Sequence, residues 1–474
     1  MILRSPPSGS GLVSYVVLIL VLGGCAREEP TRATLGAAPA RAAADVSASE
    51  SVEVDSANSV VPADEPVRSP SRDPAKLRQA AMAALQAGDQ DVAFDLGRQA
   101  MRVAPDDPQV IFLMAMILGE RNRFPESIQM LDDLAATTPD ARLPAMGQTA
   151  DWLVRYGKWA EAEDRYRAIL KEVPASGLAH RKLAELLIRQ GRRVSAADHL
   201  RMLCQLGDIQ ENELRCLLSL LHPFPGDAEQ EDFDPVGVLG IARNEIARGD
   251  WQAARERLQA LDSPQAEERA LLARIHVHFG DFEALGPWPA NVASSTDLHP
   301  DAWFARGADA AQMGDQVTAI RCFAEVVLRD QTDHEAYFLM SQSLEKLDAI
   351  QEAEEARRRA ELIQQTKALG AEMSAATSRD QAKLSAIVDQ LDRLHRPLEA
   401  LAWRGVQLAY APANSSMSDT ELQQAIDDIS RERSETLRAG RDQASRSFLL
   451  CGIDVDAFTK RADQESRDHD GDSP

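Results

Sequence analysis

Arginine is the residue whose chemistry stands out here. Arg155, Arg181, Arg189 and Arg243 recur in a chain with 75 acidic against 52 basic residues and a formal charge of −23. A guanidinium presents a planar fork of donors that matches a carboxylate. Arginines gathered on one surface would therefore receive acidic side chains or C-terminal groups, unless they pair with neighbours such as Asp151 and Glu185. Other chemistry is scarce. No phosphate-cradling G-x-x-x-x-G-K-[ST], no G-x-S-x-G and no H-E-x-x-H string occurs. His276 and His278 stand two apart on a helical pattern and so point to different faces. The acidic run Asp227, Glu229, Glu231, Asp232 and Asp234 lacks the glycine and terminal glutamate of a calcium loop, and reads as a solvated loop. Asp468, Asp470 and Asp472 fall short in the same way. Cys204, Cys216, Cys322 and Cys451 form no C-x-x-C pair; they read as small buried hydrophobes, with a Cys204–Cys216 bond as the alternative. The residues thus indicate no metal, no cofactor, no catalytic group and no enzyme. The acidic balance argues against nucleic acid.

The elements that position these arginines follow from a repeat. Gly88, Gly157, Gly191, Gly249, Gly280 and Gly314 punctuate helical patterns, most of them at a spacing of about 34 residues. Asn122 and Asp348 occupy the same lattice where glycine is missing, and both tolerate the left-handed backbone of a tight turn. Seven residues before each turn stand Ala81, Ala115, Ala150, Ala184, Ala242, Ala273, Gly307 and Ser341, all small enough for two helices to cross closely. Five residues after it stand Ala93, Ser127, Ala162, Ala196, Ala254, Ala319 and Ala353, with Leu285 the exception. Pro74, Pro108, Pro235 and Pro300 take the first helical position, and Asp73, Asp107 and Asp234 cap three of them. Pro105, Pro139 and Pro174 close second helices, and Thr332 with Glu335 forms a capping box.

This pattern resembles the tetratricopeptide repeat: Trp303 with Gly307, Ala162 with Tyr166 and Pro174, and Ala319 with Phe323 match its offsets. The resemblance covers residues 74 to 365 and implies an all-α, right-handed solenoid of helix–turn–helix hairpins whose first helices line a concave groove. Applied to this register, it places Phe112, Met116, Asp151, Val154, Arg181, Glu185, Ile188, Leu239, Arg243, Phe304, Phe338 and Gln342 in the groove, with Arg155 and Arg189 at its edge. Three departures are visible, one of them the long second helix of the eighth repeat, which runs through Glu352–Lys367 with mixed charges. An apolar helix near Glu211–Leu221 and the acidic loop are inserted after the fourth repeat, and Gly286-Pro287-Trp288-Pro289 interrupts the second helix of the sixth.

The N-terminus carries the apolar run Leu12 to Leu22 ending in Leu22-Gly23-Gly24-Cys25. It is too short to span a bilayer and resembles the signal peptide and lipobox of bacterial lipoproteins, which implies lipidation of Cys25 and an outer-membrane address facing the periplasm. The expected organisation is a signal peptide over 1–24, a disordered tether over 25–73, a first arm of about four repeats over 74–208 and an insertion over 209–234. A second arm of four to five repeats spans 235–412, with a degenerate last unit, and a capping helix opening at Ser418 lies within a tail over 413–474. The function expected is a membrane-tethered scaffold or adaptor of the cell envelope that grips a protein or peptide in the groove. The alternatives are a regulatory subunit activating an envelope enzyme, and a carbohydrate or small-molecule binder or enzyme using the insertion. A second copy of the chain is a further partner.

Overall fold

The computed structural model describes residues 73–224, 233–286, 299–373, 381–411, 417–455 and 457. Cys25 and the tether, most of the acidic loop, the Pro287–Pro289 break and Asp468 to Asp472 lie outside them. Among the described residues all regular structure is helical, and the chain divides into two compact units at Lys158/Trp159.

The first unit contains α1 (Pro74–Gln86), α2 (Gln90–Val103), α3 (Pro108–Glu120), α4 (Phe124–Thr137) and α5 (Arg142–Arg155). The Asp73 carboxylate accepts from the Ala75 N–H at 3.0 Å and Asp107 from Gln109 at 2.8 Å, so both aspartates cap as their position before proline predicts. Helix α3 is apolar all round, from Phe112 to Gly119, and forms the centre of the unit's core with Ala81, Ala93, Leu131 and Trp152.

The second unit contains α6 (Trp159–Glu172), α7 (Gly177–Arg189), α8 (Arg193–Leu206), α9 (Glu211–Cys216), α10 (Gly237–Ala247), α11 (Trp251–Gln259), α12 (Ala266–His278), α13 (Pro300–Met313), α14 (Gln316–Arg329), α15 (His334–Lys346) and α16 (Ile350–Glu372). Four more follow: α17 (Gln381–Arg393), α18 (Pro397–Ala409), α19 (Asp419–Arg438) and α20 (Arg446–Leu449). Successive helices pair as antiparallel hairpins, and α18 returns to pack on α8 and α9 near the unit's beginning. The described part of the insertion therefore lies inside this unit, whereas the sequence placed it between two arms.

All eight turns of the lattice have positive φ, including Asn122 at 60° and Asp348 at 57°. Ala81, Ala115, Ala150 and Ala242 are fully buried where helices cross. At Gly307, an added Cβ would stand 2.8 Å from the Phe323 ring, which shows why the position is small. A ninth turn at His395, φ 55°, joins α17 to α18 in the degenerate unit.

Several boundaries differ from expectation for physical reasons. Helix α10 starts at Gly237, not at Pro235, because the preceding backbone is held across the groove: the Val236 N–H donates to the Arg189 carbonyl at 2.8 Å. The inserted helix ends at Cys216, not near Leu221, and gives way to turns. The Thr332–Glu335 capping box does not form. Asp333 caps α15 instead, while Thr332 accepts from Leu220 and Glu335 turns to Arg274.

Candidate functional site

Part of the groove of the second unit is occupied by the chain itself. Beyond α9 the backbone from Leu217 to Phe224 runs as non-helical turns, held by residues of α8 and α10 and of the segments before α15 and α18. Buried backbone outside a helix needs hydrogen-bond partners, and arginines supply them. Arg396 donates to the Leu217 carbonyl at 2.6 Å, Arg193 to Ser219 at 3.1 Å and Arg243 to Leu221 at 2.9 Å. The Thr332 hydroxyl oxygen accepts from the Leu220 N–H at 3.0 Å. Between these anchors Leu214, Leu217, Leu218, Leu220, Leu221 and Phe224 are each at most 5% exposed.

The cations are balanced from the first helices. Arg243 pairs with Asp301 at 2.7 Å; Arg274 reaches Asp301 at 3.4 Å, Asp333 at 2.8 Å and Glu335 at 2.6 Å. Both arginines and both aspartates are buried. Burial pushes the Asp301 carboxyl up, but Arg243, His299 and Arg274 outweigh it and hold it well below the usual carboxylate range. Burial likewise opposes the Arg274 charge, and Asp333, Glu335 and Asp301 overcome it. Asp330 is different: burial and the neighbouring Asp333 raise it. Glu335, against the effect of burial, is drawn down to about 2 by Arg274.

The residues read from the sequence sort cleanly against this geometry. Arg181 meets Glu213 at 2.7 Å on the inserted helix, and Asp208. Arg189 donates to the Asp234 carbonyl at 3.0 Å, and Arg243 belongs to the network above. Three of the four arginines thus engage acidic or main-chain groups of the inserted region and its flanks. Arg155, in the first unit, pairs with Glu120 at 3.1 Å and lies over the Phe124 ring. Glu185 pairs with Lys182 at 3.3 Å.

Phe112 and Met116 are core residues rather than groove contacts, because α3 is packed on every side. Phe304 is buried too, under the Arg274 guanidinium at 3.7 Å and edge-on to Phe323. Phe338 and Gln342 remain exposed on α15.

Arg274 escaped the sequence reading although a signal existed. It is the ninth residue of its helix by the lattice, the place Arg243 holds in the previous hairpin. Arg193 and Arg396, lying outside that register, carried no such mark.

The terminal apolar run also docks inward. Leu450, Cys451 and Ile453 join the core of α14–α16, Tyr337 donates to the Leu449 carbonyl at 3.0 Å, and Phe448 lies between Arg359 and His395. A cavity of about 100 Å³ remains where α8, α18 and the tail meet, lined by Arg201, Cys204, Arg329, Arg396, Glu399 and Asp442. Arg396 there is already bound to Glu399 and Leu217. Cys204, Cys216, Cys322 and Cys451 are buried free thiols, and burial raises Cys204, Cys322 and Cys451, the last two to about 12 and about 11. His276 faces Asp281, while His278 stacks on Trp251 at 3.8 Å. Among the described residues no group of three or more potential metal ligands is found.

No family model matches this sequence, and no curated protein matches it. Solved structures do. A tetratricopeptide repeat protein from Parabacteroides merdae is 14% identical, over 57% of this chain and 98% of that one, with a TM-score of 0.28. The TPR2AB domain of yeast Sti1, in a complex with pHSP90, is 13% identical over 69% and 98%, with a TM-score of 0.26. The P58(IPK) TPR domain is 16% identical over 75% and 99%, with a TM-score of 0.24. The fold is an array of tetratricopeptide-type hairpins. The eight left-handed turns and the small residues at the crossings carry that assignment.

Proposed function

We propose that the protein is a non-catalytic interaction scaffold, held on the envelope membrane of a bacterium through lipid on Cys25, that binds a protein partner on helical faces left exposed beside the buried segment. The observation that carries this reading is the filled groove. Six apolar side chains between Leu214 and Phe224 are buried there. At roughly 1.5–3 kcal/mol each, their burial is on the order of 10 kcal/mol, comparable to the whole stability of a domain. A partner would need about nanomolar affinity merely to replace the segment, so the segment is a permanent part of the core. The buried charges face one another or the chain's own carbonyls, which leaves little chemistry for a substrate. Large apolar side chains stay exposed on helix surfaces, Phe338 at 45% and Ile426 at 45%.

The test is in-cell photo-crosslinking of the tagged full-length protein, with the crosslinking residue at Gln342 or Ile426 and at Gln252 as a control. The expected result is one partner captured at 342 or 426 and absent at 252, with Cys25→Ser releasing the protein from the membrane fraction. Identical capture at all three sites would overturn the scaffold reading, and membrane retention of the serine variant would overturn the anchor.

A further inference from the structure

Helix α19 outruns its support. Its C-terminal half is docked: Glu432 pairs with Arg404 of α18 at 2.9 Å, Thr436 is buried, and an added Cβ at Gly207 of α8's end would strike the Arg433 guanidinium. Residues 419 to 424, Ile426 and Asp427 are exposed, so the first two turns of α19 are left uncovered by the described helices. Leu422, Ile426 and Ile429 follow at four and three residues and share a face. Seven residues on, Thr436 is the covered end of the same stripe. Along the stripe Thr436 is buried and Ile429 half-buried, while Leu422 and Ile426 are open, 36% and 45% exposed.

The open half has one sign of charge. Asp419, Glu421, Asp427 and Asp428 fall within it and no cation does; the first is Arg431. Glu421 is held ionised by hydrogen bonds from Ser418, and Asp428 by bonds from Gln424 and Arg431, which keep both carboxyls below their usual range. A second copy laid antiparallel on this half would set carboxylates against carboxylates, so the chain does not complement itself here.

We propose that the N-terminal half of α19 is a docking face for an amphipathic helix of a partner protein whose apolar stripe is flanked by Lys and Arg. Such a helix would cover Leu422 and Ile426 and place its cations beside Asp419 and Asp427 on the border of the stripe. The proposal rests on the scaffold reading and names the chemistry of its partner.

Two labelled synthetic peptides test it against the purified full-length protein by fluorescence anisotropy. They share one Leu/Ile stripe and differ in flanks, lysine in one and glutamate in the other. The lysine peptide should bind at least about ten-fold more tightly, a difference of about 1.4 kcal/mol. The double variant Leu422→Ser/Ile426→Ser should lose this binding, and Asp419→Lys/Asp427→Lys should reverse the preference, with the melting curve of each unchanged. Equal binding of both peptides, or wild-type binding by the serine variant, would overturn the proposal. Sedimentation supplies the other arm: self-association abolished by the serine variant would assign the face to a second copy instead. If the peptides fail while Gln342 still captures its partner in cells, this inference falls and the scaffold reading stands.

Discussion

The two compact units solve the same packing problem by different means. In the first, the core is made of apolar clusters, a main one around α3 and a smaller one of Leu77, Ala100 and Val110, and ion pairs such as Arg121–Asp91 and Arg155–Glu120 lie at the surface. In the second, arginines and aspartates enter the interior. The cause is the insertion. A hairpin satisfies its own main chain, so stacking hairpins asks only for apolar contact. Non-helical backbone pushed into the same space asks for donors, and a buried arginine that provides them needs a carboxylate in turn. The chain from Leu221 through Arg243 to Asp301 and Arg274 is that requirement written out in residues.

The comparison breaks most sharply at Asp301. Replacing it by alanine leaves Arg243 and Arg274 without a shared carboxylate, and removing one partner of a buried pair costs about 3–5 kcal/mol. Hydrogen exchange should accelerate in α10, α12 and α13 while α1 to α5 keep their protection. Equal acceleration in both would mean that they do not unfold separately.

A smaller effect is expected from closing a helix contact in either unit. Alanine at Gly119 would overlap the Trp152 indole, and alanine at Gly240 would overlap the Arg189 carbonyl. Each should cost about 1–3 kcal/mol, but the second more, since a side chain can turn aside and a backbone carbonyl cannot. Urea midpoints of the two variants decide the order.

Acidification separates the units most gently. The first unit contains no histidine. In the second, burial and then His180 lower His199 to about 4; burial followed by Arg243 and Arg274 lowers His222, and burial followed by Lys367 lowers His334. Folded-state values below the ordinary 6.5 mean that the unfolded chain takes up protons the folded one refuses. Stability should therefore be full above pH 6.5 and decline as pH falls toward 4, in the second unit alone. Exchange measured at pH 7 and pH 5 checks this; a parallel decline in α1 to α5 would count against it.

What the sequence made legible follows the same division. Turns are local: Gly88, Asn122 or Asp348 declares a left-handed residue by type alone, and all eight declarations hold. The first-helix register marked Arg181 and Arg243, with Arg189 at the groove's edge, as candidates to receive acidic or C-terminal groups. It could not say whose. Leu217, Ser219 and Leu221 give nothing but carbonyl oxygens, and a carbonyl has no residue type to read. Phe112 and Phe304 misled for a related reason, because the fifth place of a first helix faces a groove only if nothing fills the space before it.

Helix α18 returning to α8 has a consequence for how such a chain changes over generations. An open array can gain or lose a hairpin by duplication and only grow or shrink. Where the last hairpin must meet an early one, an added repeat displaces the meeting point and a deleted one leaves it unreachable. The number of hairpins in the second unit is thereby fixed as firmly as any core side chain, and insertions can be accommodated only in its loops.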